Sequence, residues 1–289
     1  MIAYDNKNWI SQLFAVKGTV FANIYGRVLF FIAWTAGVCF IYHQGYLTEN
    51  AKIDMVVFNV VGLALGLLLV FRTNTSYDRY WEGRKLLGST TNATRNISIM
   101  LNKMLPKDDS TSRKYYYQML SSFFAATKEH LREGVKEEHI PNIPVEVKAD
   151  IMKRGHIPIA ILEDILLKTK VLHQDKSCSE ADLLTLNTEF LNLSNNLGGM
   201  ERIKNTPVPF AYASHLQLFV MLYFTALPFG LYEKFHWMSI PVIGIVSFIL
   251  LGINEIGVEI EDPFGDDPND LPTDKMCENA EKLVKEVLL

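Results

Sequence analysis

The chain lacks most of what an enzyme of its size displays. It has three cysteines in 289 residues, Cys39, Cys178 and Cys277. Their spacing matches no zinc-ligand pattern, so a zinc finger or disulfide framework is excluded and reduced structural thiols are expected. No alternating strand pattern, glycine-rich phosphate loop or nucleophile beside a base occurs, which leaves enzymatic chemistry without a motif to rest on. The N-terminal MIAYDNKNWISQLF has no basic start followed by an apolar run and a cleavage site. It is therefore not a removable signal peptide, and an amphipathic helix lying at a membrane interface fits it better.

Formal charge is missing where hydrophobicity is highest. Four stretches, about 24–43, 53–71, 210–232 and 237–253, contain long apolar runs, and inside the runs from 28, 53, 210 and 237 the one charged residue is Asp54, at an edge. A bilayer core needs about 20 mostly apolar residues per helix. Buried helices of a soluble bundle would keep a polar stripe, so membrane spans are the stronger reading. Charge asymmetry then orients them. Lys52 and Lys234 are the lone basic residues of the two short connectors, whereas Lys17 and Arg27 flank the start of the first span, and Arg72, Arg79, Arg84 and Lys85 follow the second. Basic residues stay on the cytoplasmic side. Both termini, the segment 72–206 and the C-terminal 254–289 are therefore expected in the cytoplasm, with the spans in the plasma (inner) membrane.

The segment 72–206 holds 20 of the 28 Lys and Arg residues, against 17 Asp and Glu, a difference of three. It reads as helical throughout: 77–104 continues the second span, 111–136 and 159–172 follow, and a helix opens after Ser179. Ser179 and Asp182 have capping-box spacing with Asp in place of Glu. Leu183, Leu186, Phe190, Leu193 and Leu197 then alternate steps of three and four. That seam packs inside its own subunit or against copies of itself, the former being preferred.

On the second span, Asn59, Leu63, Leu67, Phe71 and Asn74 share one helical face, and Gly62 and Gly66 make a small-residue step on a neighbouring face. Around a symmetry axis the row would become stacked apolar rings bounded by asparagine, a constriction that stops ions by losing its water. Spacing alone also suits a row facing lipid or the subunit's own bundle. Past the row, Arg72, Asp78, Arg79, Glu82, Arg84 and Lys85 mix both signs. They suit ion pairs between subunits, or, for Arg72, attraction of anions at the row's inner mouth. His215, inside the third span, suits a neutral imidazole hydrogen-bonded to a neighbouring helix.

The stretch FRTNTSYDRYWEGRKLLG (71–88) resembles the hallmark of the bacterial branch of the bestrophin family: a Phe-Arg pair, an Asn, a Ser-Tyr-x-Arg, an aromatic and a Glu-x-Arg after the second span. NTPVPFAY (205–212) and IEDPFGDDPNDLP (260–272) agree with it at the expected places. The resemblance implies an all-α membrane protein spanning 1–289 as one channel subunit, four transmembrane helices plus a cytoplasmic helical bundle, assembled as a homopentamer around a central pore. It implies passive conduction of small monovalent ions, chloride first, and a neck formed by Leu63, Leu67 and Phe71, with Asn59, Arg72 and Asn74 at the pore mouth. A second constriction falls near Asp182, Leu183 and Leu186, among which register does not choose. Animal relatives hold calcium in the segment matching 262–271, which carries Asp262, Asp267 and Asp270 into the position of ligands. Pro268 and Asn269 interrupt that acidic run, and a capped turn stapling the chain after the fourth span is the preferred reading. No cofactor is required and no nucleic-acid partner is expected; the partners are copies of the chain, the bilayer and the permeant ion. The rivals are a cation channel of the same architecture and a membrane-anchored scaffold.

Overall fold

The computed structural model describes residues 18–46, 53–174 and 178–289. The N-terminal stretch assigned to the interface, Lys17 and Lys52 lie outside them. The described residues contain no strand and fold into α1 (Phe21–His43), α2 (Met55–Met104), α3 (Ser110–His130), α4 (Val145–Met152), α5 (Ile157–Gln174), α6 (Glu180–Asn205), α7 (Phe210–Phe235), α8 (Ser239–Glu259) and α9 (Thr273–Leu288). Three stretches are long and apolar enough to cross a membrane: Phe21–His43, Met55–Met104 and Phe210–Glu259. The last holds two helices, α7 and α8, joined by a 3-10 turn at His236–Met238 whose first residue has φ 46°.

Some boundaries differ from expectation. The second span and the polar helix after it are one 50-residue helix. The helix expected over 111–136 stops at His130, before Gly134 at φ +105°. Helices α4 and α9 were not anticipated.

Two compact units result, and α2 contributes to both: its residues to Tyr80 belong to the first and those from Trp81 to the second. The first unit adds 207–262 and 267–269. Its core is Ile24 and Phe31 of α1, Phe58, Leu65 and Leu69 of α2, Leu216, Val220 and Phe224 of α7, and Ile243 and Leu251 of α8. Close approach between helices is enforced at Gly230, where a Cβ would stand 2.5 Å from a ring carbon of Phe58. Rings gather where α1 ends and α7 meets α8: Tyr42 stacks on Tyr232 at 4.7 Å and His43 packs on Trp237. Such amphipathic rings favour the level of lipid headgroups. Where α1 starts and α8 ends, the groups are charged instead, with Arg27 2.6 Å from Glu255 and Asn23 donating to Glu259.

The second unit comprises 81–206, 263–266 and 270–289. Ile97 and Leu101 of α2, Tyr116, Met119, Leu120 and Phe123 of α3, Ile161 and Ile165 of α5, and Val284 and Leu288 of α9 close a core with α6. Helix ends are satisfied from within: Arg113 donates to the carbonyls of Asn102 and Leu105 at the end of α2 and to that of Leu288 at the end of α9. Arg132 reaches Asp266 and Asp274 at 3.0 Å each and Thr273 Oγ1 at 2.9 Å, holding the loop after α8 and the start of α9.

The hydrogen bonds that Asp274 accepts from Arg132 and Lys128 outweigh its partial burial and hold its carboxyl at about 2. A depressed carboxyl stabilises the fold above its ordinary value of 3.8 and ceases to do so as pH falls through about 2. Asp274→Asn should therefore lower the unfolding temperature of the purified protein at neutral pH. The gap from wild type should shrink as pH drops from 4 toward 2; a gap constant over that interval would contradict the assignment.

Candidate ion pathway

Helix α2 divides its apolar residues between two faces. Leu65 and Leu69 are 0% and 1% exposed because they belong to the first unit's core, whereas Leu63, Leu67 and Phe71 are 77%, 55% and 55% exposed in the single subunit. Asn59 and Asn74, at the ends of that row, are exposed too. The row is thus apolar surface that the subunit does not bury by itself.

Arg72 turns the other way. It is 3% exposed; its Nη1 donates to Asn254 Oδ1 at 3.1 Å and its Nη2 lies 3.6 Å from Glu261 Oε2. The place at the pore mouth read for Arg72 is therefore corrected: an unpaired guanidinium facing apolar surroundings is costly, and two acceptors on α8 and just beyond it draw it inward. Arg79 follows the same logic, its Nε donating to the Glu261 carbonyl. Glu82 pairs with Arg202 at 2.9 Å. These three charges have partners within one subunit, contrary to the inter-subunit pairing read for the set, while Asp78, Arg84 and Lys85 are exposed.

Glu261 is the meeting point. Its Oε1 accepts the Val208 amide at 2.9 Å, its Oε2 faces Arg72 and its backbone carbonyl takes Arg79, so the 71–79, 205–212 and 260–272 segments converge on one residue. Tyr212 adds a second link, its hydroxyl donating to the Leu68 carbonyl beside the row. Three motifs far apart in sequence are one clamp on the lower end of the row.

The two glycines of the small-residue step differ. A Cβ at Gly62 would stand 2.9 Å from the Tyr223 hydroxyl of α7, whereas nothing lies within 4 Å of one at Gly66. Gly62 is required by the subunit itself, and Gly66 is open to a neighbour. His215 is exposed and its ring lies over Phe219 at 6.4 Å.

At the start of α6, Ser179 caps the helix by accepting from the Asp182 amide and donating to the Asp182 carboxylate. Leu183 is half-buried, and Leu186 is 0% exposed in the core with Phe190, Leu193 and Leu197. A constriction at Leu186 is therefore corrected, because the heptad seam faces inward. The outward face carries Leu184, Thr185 and Thr188, of which Leu184 is 62% exposed. The seam spacing concealed it.

Asp262 and Asp267 are exposed, and Asp270 is buried, with its carboxylate against Gly265, where a Cβ would stand 2.7 Å from Asp270 Oδ2. Asn269 donates to Glu259 and to the Gly18 carbonyl. Among the described residues, the one group of three His, Cys, Asp or Glu side chains with donor atoms within 4.8 Å lies elsewhere, at His130, His156 and Glu201.

The family described as Bacterial/Fungal Bestrophin protein matches residues 1–286. The chain is 35% identical to a voltage-dependent anion channel-forming protein of Nostoc sp., covering 97% of this chain and 92% of that one. It is also 35% identical to one of Synechocystis sp. with the same coverage. Among solved structures, the crystal structure of a mutant bacterial bestrophin homologue from Klebsiella pneumoniae superposes with a TM-score of 0.85 at 29% identity, covering 91% of this chain and 98% of that chain.

Gly62→Ala should destabilise the subunit by about 1–3 kcal/mol through overpacking. Adding Tyr223→Phe, which removes the atom met at 2.9 Å, should restore most of the loss. Thermal unfolding of the single and double variants checks this; a double variant no better than Gly62→Ala would show that the helices meet differently.

Proposed function

Because the chain belongs to the bacterial and fungal bestrophin family, we propose that it is a membrane channel passing small monovalent anions, chloride first, through the axis of a homopentamer. The curated relatives named as voltage-dependent anion channel-forming proteins support the anion assignment. Four spans follow if α1, the first part of α2, α7 and α8 each cross the bilayer, since the third apolar stretch folds into two helices. Both termini and 72–206 then face the cytoplasm, in agreement with the basic residues that flank the spans.

The observation that carries the proposal is the exposed apolar row anchored from behind. Leu63, Leu67 and Phe71 from each copy would stack into rings between Asn59 and Asn74. A narrow apolar ring sheds water and so blocks ions without a plug. Arg72 contributes by fixing α2 in rotation from inside the subunit, and its bound charge keeps the ring apolar down to its lower edge. The inner aperture is placed on the outward face of α6, with Leu184 and Thr188 in place of Leu186; no carboxylate is needed there, and an uncharged aperture is indifferent to ion sign.

Calcium is not required in this reading. The 262–270 segment is held by the protein's own groups, Asn269 by Glu259 and the loop before α9 by Arg132, which supports a staple rather than an ion cage.

Reversal potentials of the reconstituted protein in asymmetric KCl should sit near the chloride equilibrium potential; a value at the potassium potential would replace the anion channel with a cation channel. Replacing Leu63, Leu67 and Phe71 together by alanine should raise the current several-fold. Silence of both proteins would favour a scaffold.

A further inference from the structure

One cluster in the second unit is used by neither the ion pathway nor the clamp. His130 is the last residue of α3, His156 immediately precedes α5, and Glu201 lies four residues before the end of α6. Both imidazoles address the same oxygen: Glu201 Oε1 is 2.7 Å from His130 Nε2 and 2.6 Å from His156 Nε2. The rings are 4.4 Å apart between centroids, and the three donor atoms lie within 4.8 Å of one another. The side chains are 29%, 38% and 25% exposed, so an ion can reach them from solvent while the helices fix their positions.

Two imidazole nitrogens and one carboxylate oxygen form the donor set of a three-ligand site for zinc or a similar transition-metal ion, with water completing it. Bonds of about 2.0–2.1 Å in tetrahedral geometry place donor atoms roughly 3.3 Å apart. Both histidines would thus withdraw from Glu201 by about 0.6 Å, a side-chain rotation rather than a backbone move. The backbone is already pinned, since the Lys204 ammonium at the end of α6 donates to the carbonyls of Leu131 and Arg132 just after α3. One contact opposes the ion. The Ile159 amide donates to His156 Nδ1 at 3.4 Å, and coordination through Nε2 puts the ring proton on Nδ1. That long bond has to open, which weakens the site relative to one whose second nitrogen faces a carbonyl.

We propose that His130, His156 and Glu201 bind a divalent transition-metal ion, zinc first, tying the ends of α3 and α6 to the start of α5. Calcium and magnesium are poor occupants, because they take oxygen donors.

The test uses full-length protein in detergent, stripped with chelator and titrated with zinc chloride or calcium chloride. Bound metal is counted after dialysis and thermal unfolding is followed. Wild type should retain one zinc per chain at this site and unfold at a higher temperature with zinc but not with calcium; Glu201→Gln and His156→Gln should lose both effects. His130→Cys should keep zinc binding, because a thiolate replaces the imidazole as ligand, whereas a packing role for His130 would not survive that change. Zinc-dependent stabilisation undiminished in Glu201→Gln and His156→Gln, or no retained zinc in wild type, would overturn the proposal.

Discussion

A guanidinium placed directly below an apolar span has two exits: outward toward the face it would spoil, or inward toward acceptors that have to be waiting. Arg72 takes the second, and much of the first unit is arranged around that choice. Asn254 meets it from α8 and Glu261 from the turn that follows. Removing Glu261 would leave the buried guanidinium without its counter-charge, the kind of change that costs far more than a surface ion pair contributes. The apolar row and the buried charge are thus one design: the helix can present leucine and phenylalanine outward because its arginine is occupied elsewhere.

Glu261 extends that constraint to the connections. By accepting the Val208 amide it fixes where the chain enters α7, and through its backbone carbonyl it receives Arg79 one and a half to two turns below Arg72. The motif segments look unrelated in sequence because they are acceptors and donors of a single network, the first separated from the second by the second-unit helices and the second from the third by α7 and α8.

The legibility of the chain follows from the range of each interaction. The apolar row could be read from sequence because it depends only on a helical period within one element; so could the Ser179 cap, which spans three residues. Arg72 could not be placed, since its partners stand 182 and 189 positions away (254 − 72 and 261 − 72) and nothing local distinguishes an inward from an outward arginine. Leu186 stands among the three aperture candidates that the resemblance implies and register does not separate, and the fold rules it out because the heptad seam packs inside its own subunit, the preferred reading of that stripe. Helix α9 carries a readable signal, Cys277, Ala280, Val284 and Leu288 at steps of three, four and four, directly after a proline-containing turn. The histidine pair had none: its members and Glu201 are spaced by 26 and 45 residues (156 − 130 and 201 − 156), and only the fold makes them neighbours.

The fifty residues of α2 contain no proline, and several of its hydroxyls, among them Thr73, Thr75, Thr90, Thr94 and Ser98, bond back to the carbonyl one turn earlier. Within the first unit the consequence is one of phase: Phe71 and Asn74 lie three residues apart on one unbroken helix, so a rotation of that segment that moved Phe71 would carry Asn74 through the same arc.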